Sequence, residues 1–315
     1  MNILLICLCA LFAAVFLLFL AVYVFLFRPN FMRQKGELTV QTDYQPLMKY
    51  NPSIQAGADW FLSQNIEEVS IQSFDGLTLY GQFLAVPSGK ADAKGTMLLM
   101  HGFHGFGLRD YAAFAKFYYD QNYNILIPDQ RTHGKSQGKY ITFGVKERFD
   151  CRDWVLYINS RLGEDKNIFL HGISMGCSTV LMASGLDLPA NVKGIIADCG
   201  FTSPYEIVKH VLVHDFRLPV FPILPVAKVL VRDFAGFDLH EYSTLEAMKT
   251  NKVPVLFFHG ENDNFVPVYM TKQNYEACAA PKKLNIEPDA RHSESYYKNT
   301  SKYKALVIDF LEENA

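Results

Sequence analysis

The chain has 315 residues, 50% of them hydrophobic, with 30 basic and 32 acidic side chains and a formal net charge of −2. So even a balance offers no basic field for nucleic acid and no charged tail, which argues against a nucleic-acid partner. The apolar excess sits at one end: residues 1–27 hold 26 hydrophobic residues, one Asn and no charge, and the remainder is roughly 45% hydrophobic, an ordinary soluble level.

The first expected element is therefore a membrane span. A helix over 3–27 would rise about 38 Å, more than the roughly 30 Å hydrocarbon core of a bilayer. A cleaved signal peptide would have a basic leader and a small-x-small cleavage site, whereas here Arg28-Pro29-Asn30 follows the run. The expectation is an uncleaved single-pass anchor in a cell membrane. Arg28, Arg33 and Lys35 follow it, and the positive-inside rule then favours a cytoplasmic body over an external one.

Residues 28–65, with Pro29, Pro46 and Pro52, read as a membrane-proximal connector ending in a short helix around Trp60. Alternating runs at 68–74 and 77–86 flank Asp75-Gly76, a strong hairpin signal. Continuous apolar runs follow at 97–100, 125–128, 168–170, 192–197, 253–258 and 284–286, separated by helix-like stretches at 111–121, 146–161, 177–185, 268–279 and 295–311. Short buried runs alternating with helices predict an α/β fold, a mostly parallel doubly wound sheet opened by an antiparallel hairpin. The body is expected over 66–315. The interval 201–251 is far longer than a crossover needs, is apolar and aromatic in its middle, and reads as a helical lid over the strand ends; the plainer alternative is a packed excursion that never meets substrate.

Cys7 and Cys9 fall in the apolar run, and Cys151, Cys177, Cys199 and Cys278 have no CxxC spacing, which predicts free buried thiols. His101 and His104 lack an accompanying carboxylate or thiolate, so no metal site is expected.

Two stretches match Gly-x-Ser-x-Gly, around Ser136 and around Ser174. A nucleophile elbow needs a strand running straight into a tight turn and then a helix. Ser174 has an apolar run before it and a helical pattern after it; Ser136 lies in a polar loop. A serine hydroxyl also needs a base, oriented in turn by a carboxylate, in the chain order Ser, acid, His. Only His292 follows the loop after the 253–258 run, and it stands just past the last strand-like run. Glu261 and Asp263 both lie in the intervening loop, and spacing does not choose between them. The backbone amides of Met175, next to the nucleophile, and Phe103, in the turn after the 97–100 run, are the candidate oxyanion donors.

With these residues in order, the sequence resembles the α/β-hydrolase superfamily over roughly 66–313, and more narrowly the serine aminopeptidase-like and Bem46-like hydrolases. The likeness rests on His101-Gly102, on Asp129-Gln-Arg-Thr-His133-Gly-Lys-Ser-Gln-Gly138, on Gly172-Ile-Ser174-Met-Gly176, on the 260–267 loop and on Ala290-Arg-His292. The resemblance implies Ser174 as nucleophile, Asp263 as acid within Gly-x-x-Asp-x-x-Val-Pro and His292 as base. It makes the loop holding Ser136 a structural one. At Thr132, where many relatives carry Gly, the chain departs from the pattern, which puts the shape of that loop in question.

Together these readings predict a membrane-anchored serine hydrolase of carboxylic esters, thioesters or lipids, acting through an acyl-enzyme without a cofactor. Phe103, Met175, Phe201, Phe265 and the lid outline an apolar pocket for a small acyl substrate. A serine peptidase acting on small peptides is the enzymatic alternative. A catalytically silent, membrane-tethered binding protein is the alternative of another class, disfavoured because all three triad residues are present.

Overall fold

Apolar runs without polar alternation need cover on both faces, and a parallel sheet between two helical layers provides it. In the computed structural model, which describes residues 16, 17, 20, 40–87 and 93–315, the strands are β1 (Glu67–Gln72), β2 (Thr78–Leu84), β3 (Gly95–Met100), β4 (Tyr123–Pro128), β5 (Ile168–Ile173), β6 (Val192–Asp198), β7 (Val255–Gly260) and β8 (Lys282–Glu287). They form one eight-stranded sheet in the order β1-β2-β4-β3-β5-β6-β7-β8. The pairs β1–β2 and β2–β4 are antiparallel and all others parallel, as the hairpin followed by continuous runs predicts. The expected span at 3–27 lies almost wholly outside the described residues. Among those residues no helix is long and apolar enough to cross a membrane.

Every residue of β3, β4, β5 and β7 is buried, so successive side chains feed opposite cores. Met97, Leu99, Ile125, Ile127 and Phe169 pack with helices α2 (Asn51–Leu62), α3 (Gly107–Asp120) and α11 (Thr300–Asn314). Leu98, Met100, Leu126 and Leu170 pack on the other face with α4 (Glu147–Leu162) and α5 (Met175–Ala183).

The interval 201–251 folds as α6 (Pro204–His214), α7 (Val220–Leu230), a π-helical turn (Val231–Ala235) and α8 (Thr244–Thr250). Ser203 and Ser243 cap α6 and α8, each accepting the amide proton of a glutamate three residues on. Ile207, Leu212, Ile223, Leu224 and Leu230 build a third apolar cluster around Met175, Phe201 and Val266, so the excursion sits on the strand-end side of the sheet. Remaining elements are α1 (Gln45–Met48), α9 (Val268–Ala277) and α10 (Ser295–Lys298).

Residues 40–65 do more than connect. Val40, Ile54, Ala58 and Phe61 are buried in the first core, and α2 lies so close to α3 that a Cβ on Gly57 would overlap the Ala112 carbonyl. Sequence showed a Pro-punctuated stretch with one weak helix, because its apolar face is defined by a partner fifty residues away. Forcing a side chain into that contact costs about 1–3 kcal/mol. Gly57→Val should accordingly lower the melting temperature and raise amide exchange across 40–62, while the sheet keeps its protection in hydrogen-exchange mass spectrometry.

Candidate active site

The carboxyl ends of β3, β5, β7 and β8 converge, and each contributes one part of the site. Beyond β5 the chain must reverse within a residue to enter α5. Ser174 absorbs the turn with φ 56° and ψ −116°, a conformation costing a non-glycine residue about 1–3 kcal/mol. Its amide donates to the Asp198 carbonyl at 2.9 Å, and its carbonyl accepts the Ser178 amide at 3.1 Å. Strand β6 and the first turn of α5 thus hold the bend from both sides. A Cβ on Gly172 would overlap the Gly176 carbonyl, and one on Gly176 would overlap that of Met100, so only glycine fits at either flank.

His292 Nε2 lies 2.9 Å from Ser174 Oγ, and His292 Nδ1 lies 2.6 Å from Asp263 Oδ2. A ring nitrogen facing a carboxylate is the donor, which leaves the Nε2 lone pair for the serine hydroxyl proton. Asp263 Oδ1 accepts the amides of Phe265 and Val266, each at 2.9 Å. His259 Nε2 donates to the Val266 carbonyl at 2.7 Å and stands 3.1 Å from Asp263 Oδ2, while its Nδ1 meets Thr271 Oγ1 at 2.7 Å. Burial pushes the Asp263 carboxyl up, but His292 and His259 outweigh it and hold the group well below the usual carboxylate range. It is ionised wherever the imidazole works. Glu261, the other acid left open by spacing, is exposed, as is Asp289.

Ser136 does not join this group. Its hydroxyl donates to the Asp129 carbonyl at 2.6 Å and accepts the Tyr80 amide at 2.8 Å, a tie between β2 and the loop after β4. In that loop Thr132 takes φ 71°, the left-handed conformation that glycine adopts without penalty. His101 points inward: Nδ1 donates to the Gly102 carbonyl at 2.8 Å and Nε2 accepts the Gln130 amide at 3.0 Å, so both ring nitrogens are occupied.

Among the donor candidates, Met175 opens α5 and has no intrahelical acceptor for its amide. The turn holding Phe103 abuts Ser174, since a Cβ on Gly102 would stand 3.4 Å from that of Ser174. The Gly102 amide is spent on Asp110 at 2.8 Å. The Phe103 ring stacks on Phe143 with centroids 5.4 Å apart. Phe265 stands edge-on to His292 at 5.0 Å. Phe201 is buried in the third apolar cluster, with its amide and carbonyl bonded to Ser178 Oγ.

Several neighbours were invisible in the sequence. Tyr44 stands edge-on to His292 at 6.3 Å. Cys199 Sγ lies 3.4 Å from Ser293 Oγ and, with donor atoms of Asp263 and His292, forms a set within 4.8 Å. That set is a poor metal cradle: burial holds the Cys199 thiol protonated, and the imidazole and carboxylate face each other. All four cysteines among the described residues are free and buried. Asp198, at the end of β6, accepts the Tyr303 hydroxyl at 3.1 Å on Oδ2 and has no partner on Oδ1. No motif marks it, because it is simply the last residue of a strand, β6.

Fold and elbow together define an α/β hydrolase. A family model described as serine aminopeptidase, S33, matches residues 91–235. The uncharacterised protein YqkD of Bacillus subtilis (strain 168) is 32% identical over 221 residues, covering 70% of this chain and 72% of that one. Protein bem46 of Schizosaccharomyces pombe is 24% identical, covering 79% and 77%. In structure, the esterase Pf2001 of Pyrococcus furiosus aligns with a TM-score of 0.65 at 22% identity, over 81% of this chain and 93% of that one. The chain belongs to the α/β-hydrolase superfamily, as a serine hydrolase related to YqkD and bem46.

Burial raises the Asp198 carboxyl to about 6. A carboxyl raised above its unfolded value near 3.9 stabilises the fold fully below that value and loses the contribution as pH climbs through the folded one. Between pH 4 and pH 7 the wild type should lose on the order of 3 kcal/mol relative to Asp198→Asn, measured by urea unfolding at each pH.

Proposed function

We propose that this protein is a membrane-anchored serine hydrolase that cleaves carboxylic esters, thioesters and lipid esters included, through an acyl-enzyme. The observation that carries the reading is the unbroken relay from Ser174 Oγ through His292 to Asp263, with contacts of 2.9 and 2.6 Å. His292 Nε2 takes the hydroxyl proton as Ser174 Oγ attacks the ester carbonyl. The negative charge that develops on the carbonyl oxygen meets the amides of Phe103 and Met175, and losing one such donor costs about 3–4 kcal/mol. His292 then returns the proton to the departing alkoxide, leaving Ser174 acylated. A water molecule repeats the cycle in reverse and frees the acid. Asp263 stays ionised throughout and supports the imidazolium.

The lid reading is supported by the packing of α6 and α7 around Met175, Phe103, Phe143 and Phe265 and by the His210 Nε2 bond to the Asn264 carbonyl at 2.9 Å, which ties α6 to the loop bearing the acid. On its outer side the lid exposes Val213, Leu218 and Phe221, the last 77% exposed. An apolar outer side suits lipid-like esters, and the 26 hydrophobic residues within 1–27 supply the proposed anchor. In this arrangement the catalytic body, 66–315, faces the cytoplasm.

A fluorophosphonate probe should label the wild type and leave Ser174→Ala unlabelled; equal labelling of both would remove Ser174 from the chemistry. Asp263→Asn should lower kcat on a p-nitrophenyl ester by roughly 10⁴-fold, because the amide holds the wrong imidazole tautomer. A panel of acyl esters and aminoacyl amides separates esterase from peptidase. For the anchor, the full chain should stay in the membrane pellet after an alkaline carbonate wash, and external protease on intact cells should leave the body uncut.

A further inference from the structure

The loop that presents His292 is closed by a carboxylate, and that carboxylate is gripped from outside the sheet. Glu294 is 1% exposed. Its Oε2 accepts the Arg291 amide at 2.8 Å, while the Glu294 amide donates to the Arg291 carbonyl at 3.1 Å. The two bonds cinch residues 291–294 into a turn with His292 inside it. Ser293, between them, sits at φ 59°, so the turn is bent where an ordinary residue resists bending and would relax if its closure were lost.

The other oxygen of Glu294 belongs to the segment before β1. Lys49 Nζ lies 2.5 Å from Oε1, and the Tyr50 hydroxyl donates to the same atom at 3.2 Å. The Tyr50 ring stacks on Tyr297 at 4.7 Å, and Tyr44, six residues earlier, stands edge-on to His292 itself. This arm is braced within itself: the Thr42 amide donates to Asn51 Oδ1 at 2.9 Å, and Asn51 Nδ2 returns a bond to the Thr42 carbonyl at 3.1 Å. Burial raises the Glu294 carboxyl, but Lys49 and the Arg291 amide bring it below its ordinary value, so the charge the arm grips is present at working pH.

We propose that Glu294, held by Lys49 and Tyr50, is a positioning residue that keeps His292 Nε2 in line with Ser174 Oγ. The arm of residues 42–51 is thereby part of the active site. The proposal rests on the reading of His292 as the base. Its physical basis is leverage: proton transfer depends on a contact of about 3 Å, and a displacement of about 1 Å can cost 10²-fold in rate.

The test uses the full chain in detergent and p-nitrophenyl butyrate. Glu294→Ala should lower kcat by about 10–100-fold with KM within about twofold, and Glu294→Gln should recover part of the rate because its one amide oxygen still accepts from Arg291 while its NH2 donates to the Tyr50 hydroxyl. The Lys49→Met, Tyr50→Phe double variant leaves the buried carboxylate in place and should lower kcat by about 3–10-fold; it carries the test if Glu294→Ala lowers the melting temperature. Because Glu294 acts through His292, adding Glu294→Ala to His292→Ala should leave the residual rate unchanged. Wild-type kcat in both arm and Glu294 variants would overturn the proposal, as would an equal loss in the His292→Ala background, which marks a general structural role. Wild-type turnover by His292→Ala alone would instead remove the base assignment, and the positioning role with it.

Discussion

The structure hangs on one strained residue. Ser174 is held at φ 56° because β5 ends and α5 begins with no room for a longer loop, and the two flanking glycines let the backbone close against Met100 and against itself. A serine in a relaxed loop would have its hydroxyl free to turn away. Here the backbone bond to Asp198 on β6 and the first helical bond to Ser178 fix the direction of Cβ, so every group that addresses the hydroxyl can be placed on a rigid element. The buried parallel core provides the energy that holds this bend, which is why the strain is tolerated.

Electrostatics follow from the same placement. Asp263 is nearly dry, and an unpaired carboxylate there would take up a proton. Two backbone amides and two imidazoles keep it charged. Asp198, at the end of β6, shows burial winning instead: it has no backbone amide on its carboxylate, and despite the Tyr303 bond and the nearby imidazoles its carboxyl is pushed up to about 6. Two buried aspartates in one neighbourhood thus hold their protons differently because their donor sets differ.

Two segments outside the sheet pack close to His292. The helices of 201–251 bring an apolar cluster down to Met175 and Phe265, and the arm before β1 brings Tyr44, Lys49 and Tyr50 to the loop that carries the imidazole. Each buries apolar residues on its inner side and exposes others, Met48 and Leu62 before β1 and Val213, Leu218 and Phe221 in 201–251. Movement of either would bear on the histidine, which sits on the last of the loops that build the site.

Sequence alone determined the sheet and its hairpin, because continuous apolar runs and an Asp-Gly turn are local signals whose physical cause lies within a few residues. It also singled out Ser174 over Ser136, since the elbow demands a strand and a helix in immediate succession. The choice between Glu261 and Asp263 was not local: both sit in one loop, and only folding decides which carboxylate turns inward to His292 and which faces water. The same holds for 40–65, whose proline-broken pattern hides a helix that is buried only because Gly57 meets Ala112, and for Glu294, an unremarkable surface-type residue in sequence. Contacts between residues as far apart as Tyr50 and Glu294, 244 positions, leave no periodic trace in either partner. They exist because the sheet brings distant chain ends together, and that is information tertiary structure alone supplies.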